Sequence, residues 1–474
     1  MKQPNRGGSW KKSFLPQLLA SLLFYTAAID ETQAQSQNTV PSVTKEAEFT
    51  PAQLHRAPII LKAIEVNVLS GYSLTSYRLI SNFKGNAVVI PFQIDEVGAF
   101  EDFVLPSGPT PNHQMSNGVF DNLDELSFMA EDVGASEVPS KWSFEKPDFL
   151  YRIDAKYRGK TYGSVFVGVY PNKSKRPQLS EKKYVTFNLK NSMITTSRYR
   201  YAFDPSNYLV VKGIEVLKEG GESKKIVNSS SFFLRADMKY FLTIDVGHSD
   251  ITSKLEAYKS GPIRTIVRVT FSYSFMRLEF EMGMYTEVSF FSNSVVLPTI
   301  MYNPLEGSKA LNDESGFYYG FATNFDTSAI TFSTNMERFP ASEGFSLFKE
   351  KKKSLNRYTF KAEHPDFLML MEISPSWRMI NNGNRPLLYS EPGDPTSISS
   401  RPWNKPLELG KAPVNLGVYF DLSNLSEGEH RMKFNLFFEN VNSEENRTRY
   451  RNISRWYYTS QLTRLEPQKD QKQR

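Results

Sequence analysis

Hydrophobic and polar residues alternate along much of this chain from residue 59 onward. The clearest stretch is Ile263–Phe275, where Val267, Val269 and the aromatic residues after them alternate with arginine, threonine and serine. Shorter stretches at 165–170 and 431–438 repeat the pattern. A period of two residues, with one apolar face, is typical of antiparallel strands that are buried on one side.

Helical patterns are weak throughout, because no long window combines a 3.6-residue period with capping residues. Phenylalanine and tyrosine, which favour strands, are abundant at 35 and 24 residues. We therefore predict an all-β, mainly antiparallel fold. It would form two packed β-sandwich-like domains or one large sandwich with a smaller N-terminal one, and a closed barrel is the alternative.

Breaks in the alternation divide the chain. The charged, proline-bearing segment Pro171–Lys183 and the predicted hairpin tip Lys218–Lys225 bracket the expected domain boundary, and Asn381–Pro413 is the longest irregular stretch. The predicted parts are a signal peptide (1–34), a flexible leader (35–57), an N-terminal β-sandwich domain (58–215), a large C-terminal β-sandwich domain (216–465) and a disordered tail (466–474).

The N-terminus carries the three parts of a secretory signal peptide. Four basic residues lie among the first 12, the apolar run Ser13–Ile29 follows, and small residues at Thr32 and Ala34 precede Gln35. The alternative is an uncleaved membrane anchor, for which the run is short and interrupted by Pro16. No later stretch approaches about 20 apolar residues, so we expect no integral membrane span after signal removal.

The composition excludes several kinds of chemistry. The chain has no cysteine, so it has no disulfide, thiol nucleophile or thiolate–zinc site. Secreted eukaryotic chains usually carry disulfides, and their absence favours the periplasm or cell surface of a bacterium. The net charge of +6 is dispersed and does not indicate nucleic acid binding. No G-x-S-x-G, G-x-G-x-x-G or P-loop motif occurs, and the five histidines lack zinc-binding spacing.

The most distinctive segment is 88–134, which contains VVIPFQIDEVG and NGVFDNLDELSFMAEDVG. It resembles a loose group of exported prokaryotic β-rich proteins of unknown function that share a "PFQIDE…FDxxDELxFMAxDxG" signature. The segment GPIRTIVR at 261–268 is similar to a "GPVRVIRR" strand in that group, and GVYFDLSNLSEG at 417–428 is also alike. Some members look like sugar-active or sugar-binding sandwich proteins, so the resemblance implies an exported β-rich protein connected with carbohydrate.

Acidic residues in this segment are the first candidate site. Asp121, Asn122, Asp124 and Glu125 supply closely spaced oxygens, the ligands that calcium prefers, although the EF-hand pattern is absent. Calcium is thus the one cofactor that the sequence predicts. The alternative is a solvated turn whose side chains accept hydrogen bonds from backbone N–H groups.

Asp95 and Glu96 follow a strand and are predicted ligand-binding residues. They could instead act with Asp124 or Glu125 as the acid and base of a glycosidase-like site. The alternative is that turn amides or basic side chains simply hold these acids at the end of a strand.

Aromatic residues around the long irregular stretch form the other candidate binding site. Flat aromatic faces beside a guanidinium are surfaces that sugars or peptides bind. The residues are Trp377, Tyr389, Arg401 and Trp403. The alternative is that they anchor the loop to the sandwich.

The resulting hypothesis is an exported envelope protein that binds carbohydrate or cell-wall polysaccharide without catalysis. One alternative is a structural or assembly factor that binds another envelope protein. The other is a polysaccharide lyase or glycoside hydrolase, for which the sequence shows no convergent catalytic set.

Overall fold

A computed structural model describes the chain from residue 57 to residue 465 with gaps. The described residues are 57–98, 102–157, 160–218, 221–239, 243–247, 250–275, 278–303, 306–313, 315–323, 331–333, 338–340, 345–346, 358–364, 367–375, 387–392, 414–423, 425–439 and 458–465. The predicted signal peptide, all but the last residue of the predicted leader, and the predicted tail lie outside this range.

Two small antiparallel sheets form the N-terminal part of the described chain. Strands β1 to β7 are Pro58–Lys62, Tyr77–Phe83, Asn86–Ile90, Phe92–Asp95, Glu125–Met129, Phe149–Tyr157 and Lys160–Val169, and β27 is Tyr458–Leu465. One sheet has three strands in the order β1–β5–β4, and the other has five in the order β27–β6–β7–β2–β3. The final strand therefore returns to the N-terminal part of the fold.

Two larger antiparallel sheets contain the strands from 185 to 439. Strands β8 to β17 are Val185–Asn188, Met193–Thr196, Tyr199–Asp204, Asn207–Leu217, Ser223–Asp237, Thr243–Gly247, Ile251–Ser260, Thr265–Phe275, Leu278–Phe290 and Ser294–Asn303. Strands β18 to β26 are Gly316–Thr323, Thr331–Ser333, Arg338–Pro340, Phe345–Ser346, Tyr358–His364, Phe367–Pro375, Leu387–Pro392, Val414–Asp421 and Gly428–Glu439.

Within the described residues, one large sheet has ten strands and the other has nine. The ten-stranded sheet runs β21–β24–β25–β18–β12–β11–β10–β9–β8, with β13 also paired to β12. The nine-stranded sheet runs β14–β15–β16–β17–β26–β23–β22–β19–β20. Helical structure in the described chain is limited to short turns at Ala63–Leu69, Leu74–Ser76, His113–Met115, Ala130–Asp132, Lys173–Lys175 and Gly307–Ala310.

The alternating pattern determines which face of each strand is buried. Val267, Val269 and Phe271 of β15 lie in one apolar core with residues of the ten-stranded sheet. Tyr201 of β10 meets Phe290 of β16 with ring centroids 5.0 Å apart, so aromatic packing links the two sheets. The predicted all-β, sandwich-like fold is confirmed.

The division of the chain by sheets differs from the predicted boundary at 215–216. That position lies within the ten-stranded sheet, where β11 pairs with β12 across the predicted hairpin at Lys218–Lys225. The change from small to large sheets occurs at 171–184, between β7 and β8, where no strand is present. In the described part of the chain, no helix is long and apolar enough to cross a membrane.

Candidate functional site

The signature residues lie where the three-stranded sheet meets the nine-stranded sheet. Gln93 and Asp95 are two positions apart on β4, so they share a face, and they are only 4% and 1% exposed. Gln93 Oε1 accepts hydrogen bonds from the backbone N–H groups of Ile263 (3.2 Å) and Arg264 (3.0 Å). Its Nε2 donates to Asp95 Oδ1 at 2.7 Å. One amide side chain thereby fixes a strand end of the large sheet and orients a buried carboxylate.

Two cations surround Asp95. Arg264 Nε lies 2.7 Å from Asp95 Oδ2, and Arg264 Nη2 lies 2.6 Å from Glu125 Oε2. Lys259 Nζ lies 2.9 Å from Asp95 Oδ1 and donates to the carbonyl oxygen of Ile94 at 2.6 Å. We call Gln93, Asp95, Glu125, Lys259 and Arg264 the joint cluster. Its charges are matched, two against two.

The electrostatics of the joint cluster keep Asp95 ionised. Burial raises the pKa of this carboxyl, but Arg264 and Lys259 outweigh that effect and lower the pKa to about 2. The same carboxylates raise the pKa of Arg264 above its already high value, against the effect of burial. A carboxylate that is closed off and fully paired is suited to holding two sheets together. It is poorly suited to binding a ligand.

Gly261 lies where the segments 91–96 and 261–264 meet. A Cβ atom at this position would lie 1.9 Å from Gln93 Oε1 and 2.2 Å from Gln93 Cδ. Such distances are far inside van der Waals contact, so a side chain at position 261 would displace the Gln93 amide group from its hydrogen bonds to Ile263 and Arg264. The "PFQIDE" and "GPIR" segments are thus the two halves of one contact.

Two residues of the predicted calcium turn, Asp121 and Asp124, accept hydrogen bonds from protein donors. Asp124 is 1% exposed, and its carboxylate accepts from the backbone N–H groups of Val97 and Asp121, each at 3.0 Å. Asp121 accepts from Leu123 N at 3.0 Å and from Asn117 Nδ2 at 2.7 Å. Burial raises the pKa of Asp124 to about 6, against the effect of these amide donors.

Asn122 and Glu125 of the turn, and the neighbouring Glu96, differ in their surroundings. Glu96 accepts from Ser116 Oγ at 2.8 Å and from Gly118 N at 3.0 Å, Asn122 is exposed, and Glu125 belongs to the joint cluster. Among the described residues, no group of three or more acidic or histidine side chains has an arrangement that holds a metal. Calcium binding at this turn stays a prediction.

Most of the predicted aromatic site cannot be placed. Trp377, Arg401 and Trp403 lie outside the described residues. Tyr389 lies on β24, paired with Gly417 of β25, and only its backbone is described. These four residues stay predicted binding residues.

A second polar cluster lies on the outer face of the nine-stranded sheet and was not predicted. Arg268 of β15 pairs with Glu287 of β16, with Nη2 2.5 Å and Nε 2.9 Å from Oε1. Phe103 adds its carbonyl oxygen, which accepts from Arg268 Nη2 at 2.9 Å, and its N–H, which donates to Glu287 Oε2 at 3.3 Å. The Tyr285 phenol donates to Asp102, and the Arg268 guanidinium lies 4.8 Å from the Tyr285 ring centroid.

We call Asp102, Glu256, Arg268, Tyr285 and Glu287 the rim cluster. It lies where the segment 102–116, which we call the strap, rests on the outer face of the nine-stranded sheet. Burial raises the pKa of Glu287 to about 7, although Arg268 and the Phe103 amide both lower it. Burial also raises the pKa of Tyr285 and, less strongly, of Glu256. Groups with shifted pKa values are typical of functional sites as well as of structural ion pairs.

Sequence reasoning missed the rim cluster for a physical reason. Arg268 and Glu287 occupy the polar positions of alternating strands, and such positions are usually solvated. Only the register of β15 against β16 places these two residues opposite each other. The one local signal was the position of Arg268 on the same strand face as Arg264.

No protein-family model and no curated protein matches this sequence. Solved structures with some likeness include an alpha-mannosidase from Enterococcus faecalis V583, with a TM-score of 0.43 and 8% identity over 88% of this chain and 42% of that chain. Another is a protein in the Glycosyl Hydrolase Family 38 from Enterococcus faecalis, with a TM-score of 0.44 and 8% identity over 86% of this chain and 45% of that chain. A third is a bacterial glucoamylase complexed with acarbose, with a TM-score of 0.30 and 12% identity over 64% of this chain and 38% of that chain.

This chain spans less than half the length of each of these three proteins. Likeness at these TM-scores and identities assigns neither a family nor an activity to the chain.

Proposed function

We propose that this chain is an exported bacterial envelope protein that binds carbohydrate at the rim cluster without catalysis. The observation that supports the proposal is the grouping of a tyrosine ring, a guanidinium and carboxylates at the edge of the strap. Tyr285, Asp102 and Glu256 are only partly buried, so a ligand can reach them. Sugar rings stack on aromatic faces, and their hydroxyls donate to carboxylates.

The hydrogen bonding of the carboxylates favours binding over catalysis. Glu287 accepts from Arg268 and from the Phe103 amide, and Asp102 accepts from the Tyr285 phenol. A general acid or base needs a carboxyl group within hydrogen-bonding reach of the substrate proton. The carboxylates of Glu287 and Asp102 already accept hydrogen bonds from protein donors, so we assign them to the polar surface that a ligand contacts and not to proton transfer.

Replacing Tyr285 by phenylalanine tests the proposal. The change keeps the aromatic ring and removes the hydroxyl group that donates to Asp102. The hydrogen-bond acceptors that the cluster offers to a sugar are therefore altered. We expect affinity for the bound polysaccharide to fall about fivefold, equivalent to about 1 kcal/mol for one hydrogen bond. A glycan array identifies the ligand, and isothermal calorimetry measures the change.

Tyr184→Phe is the matched control, because the Tyr184 phenol also donates to a carboxylate, that of Asp132, at 2.7 Å. This pair shares no residue with the rim cluster, so we expect its loss to leave sugar affinity unchanged. Equal losses in the two variants, or no polysaccharide bound by the wild-type protein, would contradict the proposal.

A further inference from the structure

Two arginines from separate parts of the chain, Arg78 and Arg176, converge on the residues at the start of β2. Arg78 Nη1 donates to the backbone carbonyl oxygens of Thr75 at 3.0 Å and of Tyr77 at 2.6 Å. Arg176 Nη1 donates to Thr75 Oγ1 and its Nη2 donates to Ser76 Oγ, each at 2.9 Å. Both guanidiniums are therefore held at the same short stretch of backbone.

A second set of hydrogen bonds fixes the orientation of the two guanidiniums. Arg78 Nε donates to Pro177 O at 2.6 Å. Arg176 Nε donates to Tyr170 O at 2.8 Å, and its Nη2 donates to Pro171 O at 2.9 Å. These acceptors are backbone carbonyl oxygens of the segment that follows β7. Carbonyl oxygens hold the two side chains in place, but they carry no charge that would balance them.

Neither guanidinium forms an ion pair with a carboxylate among the described residues. Arg264 and Arg268 are buried to a similar degree, and a carboxylate oxygen lies 2.7 Å and 2.5 Å from them, respectively. Arg78 is 9% exposed and has no such partner. Burial lowers the pKa of Arg78, and the positive charge of Arg176 lowers it further. Buried charges are generally paired, so an anion is the group that this pair of arginines lacks.

The acids of the neighbouring segment do not supply that anion. The backbone carbonyl of Glu145 accepts from the Tyr170 hydroxyl at 3.0 Å, which places this acid beside the segment that follows β7. Its carboxylate forms an ion pair with Lys175 at 3.8 Å. Asp148 also acts electrostatically on Tyr170, but in the described part of the chain it forms no ion pair with either arginine.

The two guanidiniums together retain N–H donors that the described residues do not use. An arginine side chain carries five N–H donors. After the bonds above, the two on Arg78 Nη2 remain, and one on Arg176 Nη1 remains. Arg78 Nη2 retains contact with solvent, so a dissolved anion has access to it. Three donors with two positive charges match the oxygens of an oxyanion.

We propose that Arg78 and Arg176 form a binding site for one phosphate group, either as the free ion or as a phosphate monoester. A phosphate monoester carries a charge of about −1.5 to −2 near neutral pH and presents three acceptor oxygens. Its charge balances two guanidiniums, and its oxygens match the three remaining donors. A carboxylate would supply one charge and two oxygens. The site shares no residue with the rim cluster, so it does not depend on the proposed sugar binding.

Calorimetric titration of the purified chain with inorganic phosphate tests the site, with chloride at equal ionic strength as the reference. We expect a dissociation constant of about 1 mM or lower for the wild-type chain. Arg176→Gln removes one charge and its donors, so affinity should fall about tenfold or more. Arg200→Gln is the matched control, because Arg200 already pairs with Glu215 at 3.3 Å, and this variant should bind phosphate as wild type does.

Hydrogen–deuterium exchange of the wild-type chain locates the bound ion without any substitution. At about ten times the dissociation constant, phosphate should slow exchange in peptides covering 73–78 and 170–178 by up to about tenfold. A peptide covering 196–204, which contains Arg200, should exchange at an unchanged rate.

Titration with glycerol 3-phosphate distinguishes the two sources of the phosphate group. An affinity similar to that of inorganic phosphate would support a site that accepts an ester on a larger molecule. A much weaker affinity would support a site for the free ion.

Two results would overturn the site. One is the absence of phosphate binding by the wild-type chain at about 20 mM, well above the expected dissociation constant. The other is equal affinity in wild type and a folded Arg176→Gln variant. If Arg176→Gln does not fold, protection confined to 73–78 and 170–178 supports the site, and unchanged or uniform protection contradicts it. No polysaccharide is present, so these outcomes are independent of the proposed carbohydrate binding.

Discussion

Asp95 is a residue whose charge is balanced by side chains from distant parts of the chain. It is 1% exposed, and its charge is balanced by Arg264 and Lys259. Removing one member of a buried ion-pair set leaves the others buried without full pairing, which costs about 3–5 kcal/mol. The free energy of unfolding should therefore respond strongly to this single carboxylate.

We expect Asp95→Asn to lower the free energy of unfolding at pH 7 by about 3 kcal/mol. The pKa of Asp95 is lowered to about 2 in the folded protein, so its stabilising effect is complete above the unfolded value of about 3.9. The effect is lost as the pH falls from about 4 toward 2. The gap between wild type and variant should narrow over that range in urea titrations.

Glu215→Gln is a suitable control for this measurement, because Glu215 and Arg200 form a surface pair with side chains 35% and 40% exposed. Surface pairs contribute about 0–1 kcal/mol, so this variant should remain close to wild type at every pH. An Asp95→Asn protein as stable as Glu215→Gln would refute the structural role of the joint cluster.

The sequence located Asp95 but could not assign its role. An acid at the end of a strand is equally compatible with a ligand site, a glycosidase pair or a structural ion pair. The arginine that pairs with Asp95 in the folded chain lies 169 positions away along the sequence. Asp124 could be assigned more locally, because its amide partners Asp121 and Val97 belong to the same segment.

At the scale of single elements, local sequence patterns were sufficient to predict individual strands. They did not predict the contacts between distant strands. The alternation at 263–275 predicted β15 because a strand with one buried face determines its own periodicity. The approach of β4 to the start of β15 involves no periodicity. It depends on the register of separate sheets, which a single sequence does not encode locally.

Gly261→Ala tests that approach. The new methyl group would fall on the Gln93 side chain, which is held by the Ile263 and Arg264 amides and cannot move without losing those bonds. We expect the free energy of unfolding to fall by about 2–4 kcal/mol, from overpacking together with weakened hydrogen bonds. Thermal and urea unfolding measure this change.

Gly213→Ala on β11 is the matched control, since its new methyl group meets the flexible end of Lys225 at 2.9 Å and lies at an ordinary contact distance of 3.6 Å from Val227 O. That variant should stay within about 1 kcal/mol of wild type. The double variant Gly261→Ala with Gln93→Ala should be less unstable than the sum of the single changes, because the clash is absent. Simple additivity would show that the two positions are not in contact.

For the whole molecule, the fold class could be predicted from the sequence, whereas the membership of strands in sheets could not. Aromatic and β-branched composition, with alternation and few caps, was enough to predict an all-β fold. The predicted boundary at 215–216 lies within β11, next to the predicted hairpin tip at Lys218–Lys225. The structure shows that this turn joins two paired strands, β11 and β12. Turns within sheets and turns between sheets have the same local composition, so only strand pairing separates them.

Export is the remaining prediction about the whole chain, and we infer it from the signal-like N-terminus. Expression of the full chain in a bacterium should yield an envelope protein whose first residue is Gln35. Ala34→Asp places a charge where cleavage needs a small residue and should leave the precursor uncut, whereas Ala52→Asp lies beyond the cleavage site and should be processed normally. Intact-mass and N-terminal sequencing distinguish these products, and a wild-type protein that keeps Met1 in the cytoplasm would refute export.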